Sequence, residues 1–142
     1  MKTINEYLIN RQTREISGSQ YTLDQFLSEL KKIGLQTDAP HNSFIDPGDL
    51  LYIHPSNRLQ RFPFVKFIYN IYRYDRRPTD VLIINNIENG IDMRVNSSTT
   101  HRHSNIDFTK YNVITDLDKG RRIYMLDDKL IELFKILFKN FI

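Results

Sequence analysis

The period of the hydrophobic pattern changes along the chain. Over residues 22–34, TLDQFLSELKKIG, the apolar residues Leu23, Phe26, Leu27, Leu30 and Ile33 recur at three- and four-residue spacing, which places them on one side of an α-helix. Thr22 and Gln25 have the spacing of a capping box, Lys31 and Lys32 complement the negative end of the helix dipole, and Gly34 suits the C-terminal cap. The same spacing returns over 127–141, where Leu130, Phe134, Leu137, Phe138 and Phe141 form the apolar stripe and Asp127 and Asp128 supply a cap and a first-turn acid. A shorter helix is expected over 3–11, with Ile4, Tyr7 and Leu8 on its buried side.

Between these helices the alternation shortens to two. VLIINNI at 81–87 and IDMRV at 91–95 flank Glu88, Asn89 and Gly90, which predicts a hairpin closed by an Asn-Gly turn. YNVIT at 111–115 and RRIYML at 121–126 flank residues 116–120, a turn rich in Asp, Lys and Gly, and predict a second hairpin. LLYI at 50–53 is a candidate further strand. The series describes one α+β domain over 1–142: a mostly antiparallel sheet of two hairpins plus that extra strand, flanked by N-terminal helices and a C-terminal helix.

Residues 61–77, RFPFVKFIYNIYRYDRR, fit two periods. Lys66, Asn70, Arg73 and Arg77 fall at helical spacing opposite Phe64, Phe67, Ile68, Ile71 and Tyr72, with Pro63 acceptable at a first helical position. Val65, Phe67, Tyr69 and Ile71 alternate as in a strand, in a run rich in β-branched and aromatic residues. A helix is the favoured expectation and a strand the alternative.

Composition narrows the function classes. Hydrophobic residues at 40% and charged residues at 26% describe a chain that folds, and the absence of cysteine removes disulfides, thiolate metal sites and a thiol nucleophile. There is no apolar run of spanning length and no secretory leader pattern, so a cytoplasmic protein without membrane attachment is expected. Isoleucine and asparagine are abundant while alanine occurs once and tryptophan never, a bias of AT-rich coding found in some phages, mobile elements and low-GC bacteria. Glycine occurs five times but never in a phosphate-loop pattern, and no Gly-x-Ser-x-Gly element is present. No cofactor is expected.

Charge changes the picture more than composition does. Six basic residues against one acid give residues 58–77 a charge of +5, leaving −2 for the rest of a chain whose total is +3. Eleven of the twenty cationic residues are arginine, against the lysine preference of an AT-rich sequence, and five of them lie in this stretch. The candidate binding residues are therefore Arg58, Arg61, Lys66, Arg73, Arg76 and Arg77, whose guanidinium forks match phosphate or carboxylate oxygens, with Tyr69 and Tyr74 as stacking surfaces. The bland reading makes the aromatics core and the arginines solvated ends.

A second candidate is the polar stretch 96–107, NSSTTHRHSNID. His101 and His103, with Asp107 and either His41 or His54, contain metal-ligating types, and the two histidines with Lys110 or an arginine contain an acid and a base for phosphodiester cleavage. Spacing alone brings none of these together, and an inert hydrophilic loop is the plainer reading, so no metal or catalytic residue is assigned. The expected function is a non-catalytic binding protein that holds an anionic partner, nucleic acid or an anionic protein surface such as that of a nucleic-acid-handling protein. A phage or mobile-element inhibitor of a host protein and a histidine-dependent nuclease or phosphoesterase are the alternatives.

Overall fold

The computed structural model describes residues 16–38, 44–57, 63–85, 92–95, 99–102, 106–116 and 118–142, with 92–95 and 99–102 described by their backbone. Helix α1 (Leu23–Lys32) begins in the expected capping box: Gln25 N–H donates to Thr22 Oγ1 at 3.3 Å and Thr22 N–H to Gln25 Oε1 at 3.0 Å. Gly34, at φ +90°, then turns the chain directly into a strand. Among the described residues eight strands follow: β1 (Leu35–Asp38), β2 (Leu50–Pro55), β3 (Pro63–Tyr74), β4 (Arg77–Asn85), β5 (Asp92–Val95), β6 (Thr99–Arg102), β7 (Val113–Asp116) and β8 (Arg121–Met125). Helix α2 (Asp128–Leu137) follows β8, capped by Asp127, whose Oδ1 accepts from Leu130 N–H at 3.0 Å.

The architecture is α+β, and among the described residues all strand pairings are antiparallel. The sheet runs β1-β2-β3-β4-β8-β7, with β5 on the first residues of β3 and β6 on β5. Both α-helices, β2 and the β7–β8 hairpin fall where the pattern places them. The helix expected over 3–11 lies outside the described residues.

Four expectations change. Residues 63–74 form a strand and not the favoured helix: Val65, Phe67 and Tyr69 alternate with less buried neighbours, and β2, β4 and β5 all pair with this backbone. Pro63 is then the first residue of a strand, a position where its missing N–H is also tolerated. The hairpin expected between 81–87 and 91–95 is not the observed pairing. Among the described residues β4 pairs with β3 and β8, and β5 with β3 and β6, because β3 is long enough for both to lie along it. Finally, 99–102 in the expected polar loop is strand β6, and α2 ends at Leu137, which leaves Phe141 46% exposed.

Both helices pack on one face of the sheet. Leu23, Phe26 and Leu30 of α1 and Leu130, Leu133, Phe134 and Leu137 of α2 bury against Leu51, Ile53, Val65, Phe67, Leu82 and Tyr124. Phe67 lies at the centre, edge-on to Tyr124 at 5.9 Å between ring centroids and to Phe134 at 5.6 Å. The opposite face carries a second cluster, Val81, Ile83, Ile114, Ile123 and Met125, with Ile16, Ile68, Tyr72 and Tyr74 against it. Because both faces are covered, Val81 to Ile84 are buried without alternation.

The segment before α1 is fastened to the start of α2. Tyr21 OH donates to Asp128 Oδ1 at 2.5 Å and Gln20 Nε2 to Asp128 Oδ2 at 3.2 Å. These bonds hold the Asp128 carboxyl below its usual range, and the same contact pushes the Tyr21 phenol up to about 12. A carboxylate whose folded pKa is depressed contributes stability above its unfolded value, about 3.9, and loses it as pH falls through the folded value. Tyr21→Phe is therefore expected to lower stability at neutral pH, with a gap to wild type that narrows on acidification below about pH 4. Denaturant unfolding across a pH series checks this; a gap of constant size would show that the bond does not act through Asp128 ionisation.

Candidate anion-binding site

Strands β3 and β4 form a ribbon that outruns its neighbours. They pair from Ile68↔Ile83 to Tyr74↔Arg77, whereas β2 last pairs with β3 at Leu50↔Ile68 and β8 with β4 at Val81↔Met125. Past Tyr69 and Val81, then, neither β2 nor β8 continues alongside. The chain turns at Asp75 (φ 48°) and Arg76 (φ 64°), two residues both in the left-handed region, as a type I′ hairpin turn requires. Pro78 stands opposite Arg73 in a pair that does not exchange backbone hydrogen bonds, so its missing N–H falls on the open edge of the ribbon.

The root of the ribbon is locked. Asp80 accepts from Tyr69 OH through Oδ1 at 2.9 Å and from the Leu23 N–H at the start of α1 through Oδ2 at 2.9 Å, so a strand carboxylate serves as a cap for a helix positive end. Ser19 N–H donates to Thr79 Oγ1 at 3.0 Å, Ser19 Oγ donates to the Asp80 carbonyl, and Gly48 N–H donates to the Tyr69 carbonyl at 2.7 Å. Tyr69 is thereby only 7% exposed and its phenol is pushed up to about 12 by burial and the Asp80 bond. The stacking role expected for Tyr69 is corrected: its ring belongs to the core.

The remaining predicted residues divide. Arg73 lies on the face of Tyr69 and Ile71, Arg77 opposite Tyr74 on the other face, and Arg76 at the apex, all three exposed. Tyr74 is half-buried against the second apolar cluster. Arg77 stands 3.8 Å from Asp75, but both side chains are more than 70% exposed, so the pair contributes no more than about 1 kcal/mol. Among the described residues no carboxylate lies within ion-pair distance of Arg73 or Arg76. Lys66 is exposed on β3 opposite Tyr52, and at about 3.3 Å per residue it stands about 23 Å along the strand from Arg73. Arg58 and Arg61 lie outside the described residues. The three described arginines of the expected cluster thus sit at a ribbon tip, on both faces and the apex.

The histidine candidates do not assemble into a described site. His54 is fully buried, its Nδ1 2.9 Å from the Pro55 carbonyl oxygen and its Nε2 3.1 Å from Asp38 Oδ2, which occupies both ring nitrogens. Asp107 accepts from Thr109 N–H at 3.1 Å and Thr109 Oγ1 at 2.6 Å, and those bonds hold its carboxyl below the usual range. His41 and His103 lie outside the described residues, and His101 is described by its backbone in β6. Among the described residues no three His, Asp or Glu side chains gather as for a metal ion, and no helix is long and apolar enough to cross a membrane.

The residues that position the ribbon, Ser19 and Asp80, carry no motif in the sequence. Their only trace is an acid immediately before the apolar run 81–84. Comparison with protein-family models finds no match, and searches of the curated proteins and of the solved structures find none either.

Tyr69→Phe removes a buried hydrogen bond to a carboxylate and is expected to lower stability by about 1–2 kcal/mol. Tyr124 is the contrasting case, since its buried hydroxyl has no hydrogen-bond partner among the described residues, and Tyr124→Phe is expected to be neutral or mildly stabilising. Chemical denaturation of the two variants side by side tests both; equal losses would show that Asp80 does not distinguish them.

Proposed function

We propose that this chain is a cytoplasmic, non-catalytic binding protein that holds nucleic acid, by its phosphates, at the tip of the β3–β4 ribbon through Arg73, Arg76 and Arg77. Exposed arginines alone would not support this, because solvated cations are ordinary. The observation that carries the reading is Arg76. It occupies a left-handed turn position that favours glycine, at a conformational cost on the order of 1 kcal/mol for a residue with a Cβ. Strain of this kind at an exposed apex points to a side chain retained for a contact outside the molecule. A guanidinium fork there presents paired donors to phosphate oxygens, and Arg73 and Arg77 flank it.

Phosphate contacts carry affinity without base specificity and weaken as salt rises. Arg76→Gly is expected to raise stability by about 0.5–1 kcal/mol while weakening binding, a trade that a merely structural turn residue would not show. Mixed-sequence oligonucleotides followed by fluorescence anisotropy at about 50 and about 200 mM salt provide the functional test. Wild type is expected to bind, more weakly at the higher salt. The combined Arg73→Ala, Arg76→Ala and Arg77→Ala variant should lose most of that affinity and about two to three from the slope of log affinity against log salt. Unchanged binding in the combined variant would reject the ribbon tip as the contact surface.

A further inference from the structure

The placement of the three arginines selects among nucleic acids. Arg73 and Arg77 emerge from opposite faces of a two-stranded ribbon, while Arg76 leads at its end. A flat anionic surface, or one extended strand lying along the ribbon, meets at most one of those faces together with the apex. A partner that engages all three must surround the tip, with negative charge on two walls and room between them for the thickness of one ribbon from face to face with its side chains, about 10 Å. The major groove of B-form DNA has that shape: it is about 12 Å wide, is bounded by two phosphate backbones, and admits a two-stranded ribbon. The corresponding groove of A-form RNA is deep and too narrow to enter.

The ribbon has the other properties that insertion demands. Neither β2 nor β8 runs alongside its tip, so no neighbouring strand of the sheet blocks approach from either edge; on the Arg77 face Ile16 and Gly18 lie against the cluster that holds Tyr72 and Tyr74, and Arg77 itself stays exposed beyond them. Its turn is the shortest that a hairpin allows, which keeps the leading end narrow. Its root is held by Asp80 to Tyr69 and to the first turn of α1, and by Ser19 to Thr79, so the tip is presented by a braced base. Pro78 removes a backbone donor from the open edge and discourages pairing with another strand in place of a ligand.

We infer that the β3–β4 ribbon enters the major groove of duplex DNA, with Arg73 and Arg77 on the phosphates of opposite walls and Arg76 directed to the groove floor. This inference rests on the proposed nucleic-acid reading and adds to it the form of the ligand.

The experiment compares four probes by anisotropy at one salt concentration: a mixed-sequence DNA duplex, each of its single strands, and an RNA duplex of the same sequence. The expected result is affinity for the DNA duplex at least about tenfold above the other probes, with Arg73→Ala and Arg77→Ala each weakening duplex binding on its own and each lowering the salt slope by about one. Single-stranded DNA or duplex RNA bound as tightly as duplex DNA would overturn the groove geometry while leaving nucleic-acid binding intact. Loss on only one of the two arginine substitutions would also overturn it, because a one-sided contact needs no groove. Absence of binding to all four probes would instead reject the reading on which the inference stands. Arg77→Lys separates charge from shape: retained salt slope with reduced affinity supports a guanidinium at a wall phosphate, and full affinity shows that any cation there suffices and removes the fork from the inference.

Discussion

Where β3 crosses the core its backbone must find hydrogen-bond partners along both edges, and the rest of the structure is arranged around that requirement. Twelve residues of strand present more donors and acceptors than one neighbour of ordinary length can satisfy, and an unpaired buried amide costs on the order of 1–3 kcal/mol. Three strands supply the partners, with β2 on one edge and β4 and β5 following each other along the other. That arrangement sets which side chains of β3 face the helices. Val65, Phe67 and Tyr69 then enter the core, and α1 and α2 close over them. A one-residue slip of β3 would turn all three away.

Beyond the reach of β2 and β8 the same strand becomes half of a free ribbon, and the interactions change in kind. At the root, stability comes from burial and from charge-assisted bonds that converge on Asp80. At the tip there is little apolar area to bury, the turn residues occupy left-handed conformations, and the side chains are cationic and exposed. A braced base carrying a strained, charged end is a division expected where binding residues sit on a rigid scaffold. The histidines belong to a different pattern: His54, the one described in full, is engaged in internal contacts to Asp38 and Pro55.

The features legible in the chain alone are those governed by local chemistry. Helix α1 was readable at start, face and stop because capping box, apolar stripe and glycine all act within a few residues, and α2 and the β7–β8 hairpin were readable for the same reason. The concentration of arginine between 58 and 77 was equally plain. Where those arginines point emerged only with the assembled sheet. The helical spacing of Lys66, Asn70, Arg73 and Arg77 was a coincidence, produced because a turn at Asp75 and Arg76 carries Arg77 onto the next strand. That turn has no glycine to announce it, and β3 announces no partners. Strand pairing joins residues distant in sequence, so helix or strand, one face or two, patch or ribbon could be resolved only when β2, β4 and β5 came to lie beside it.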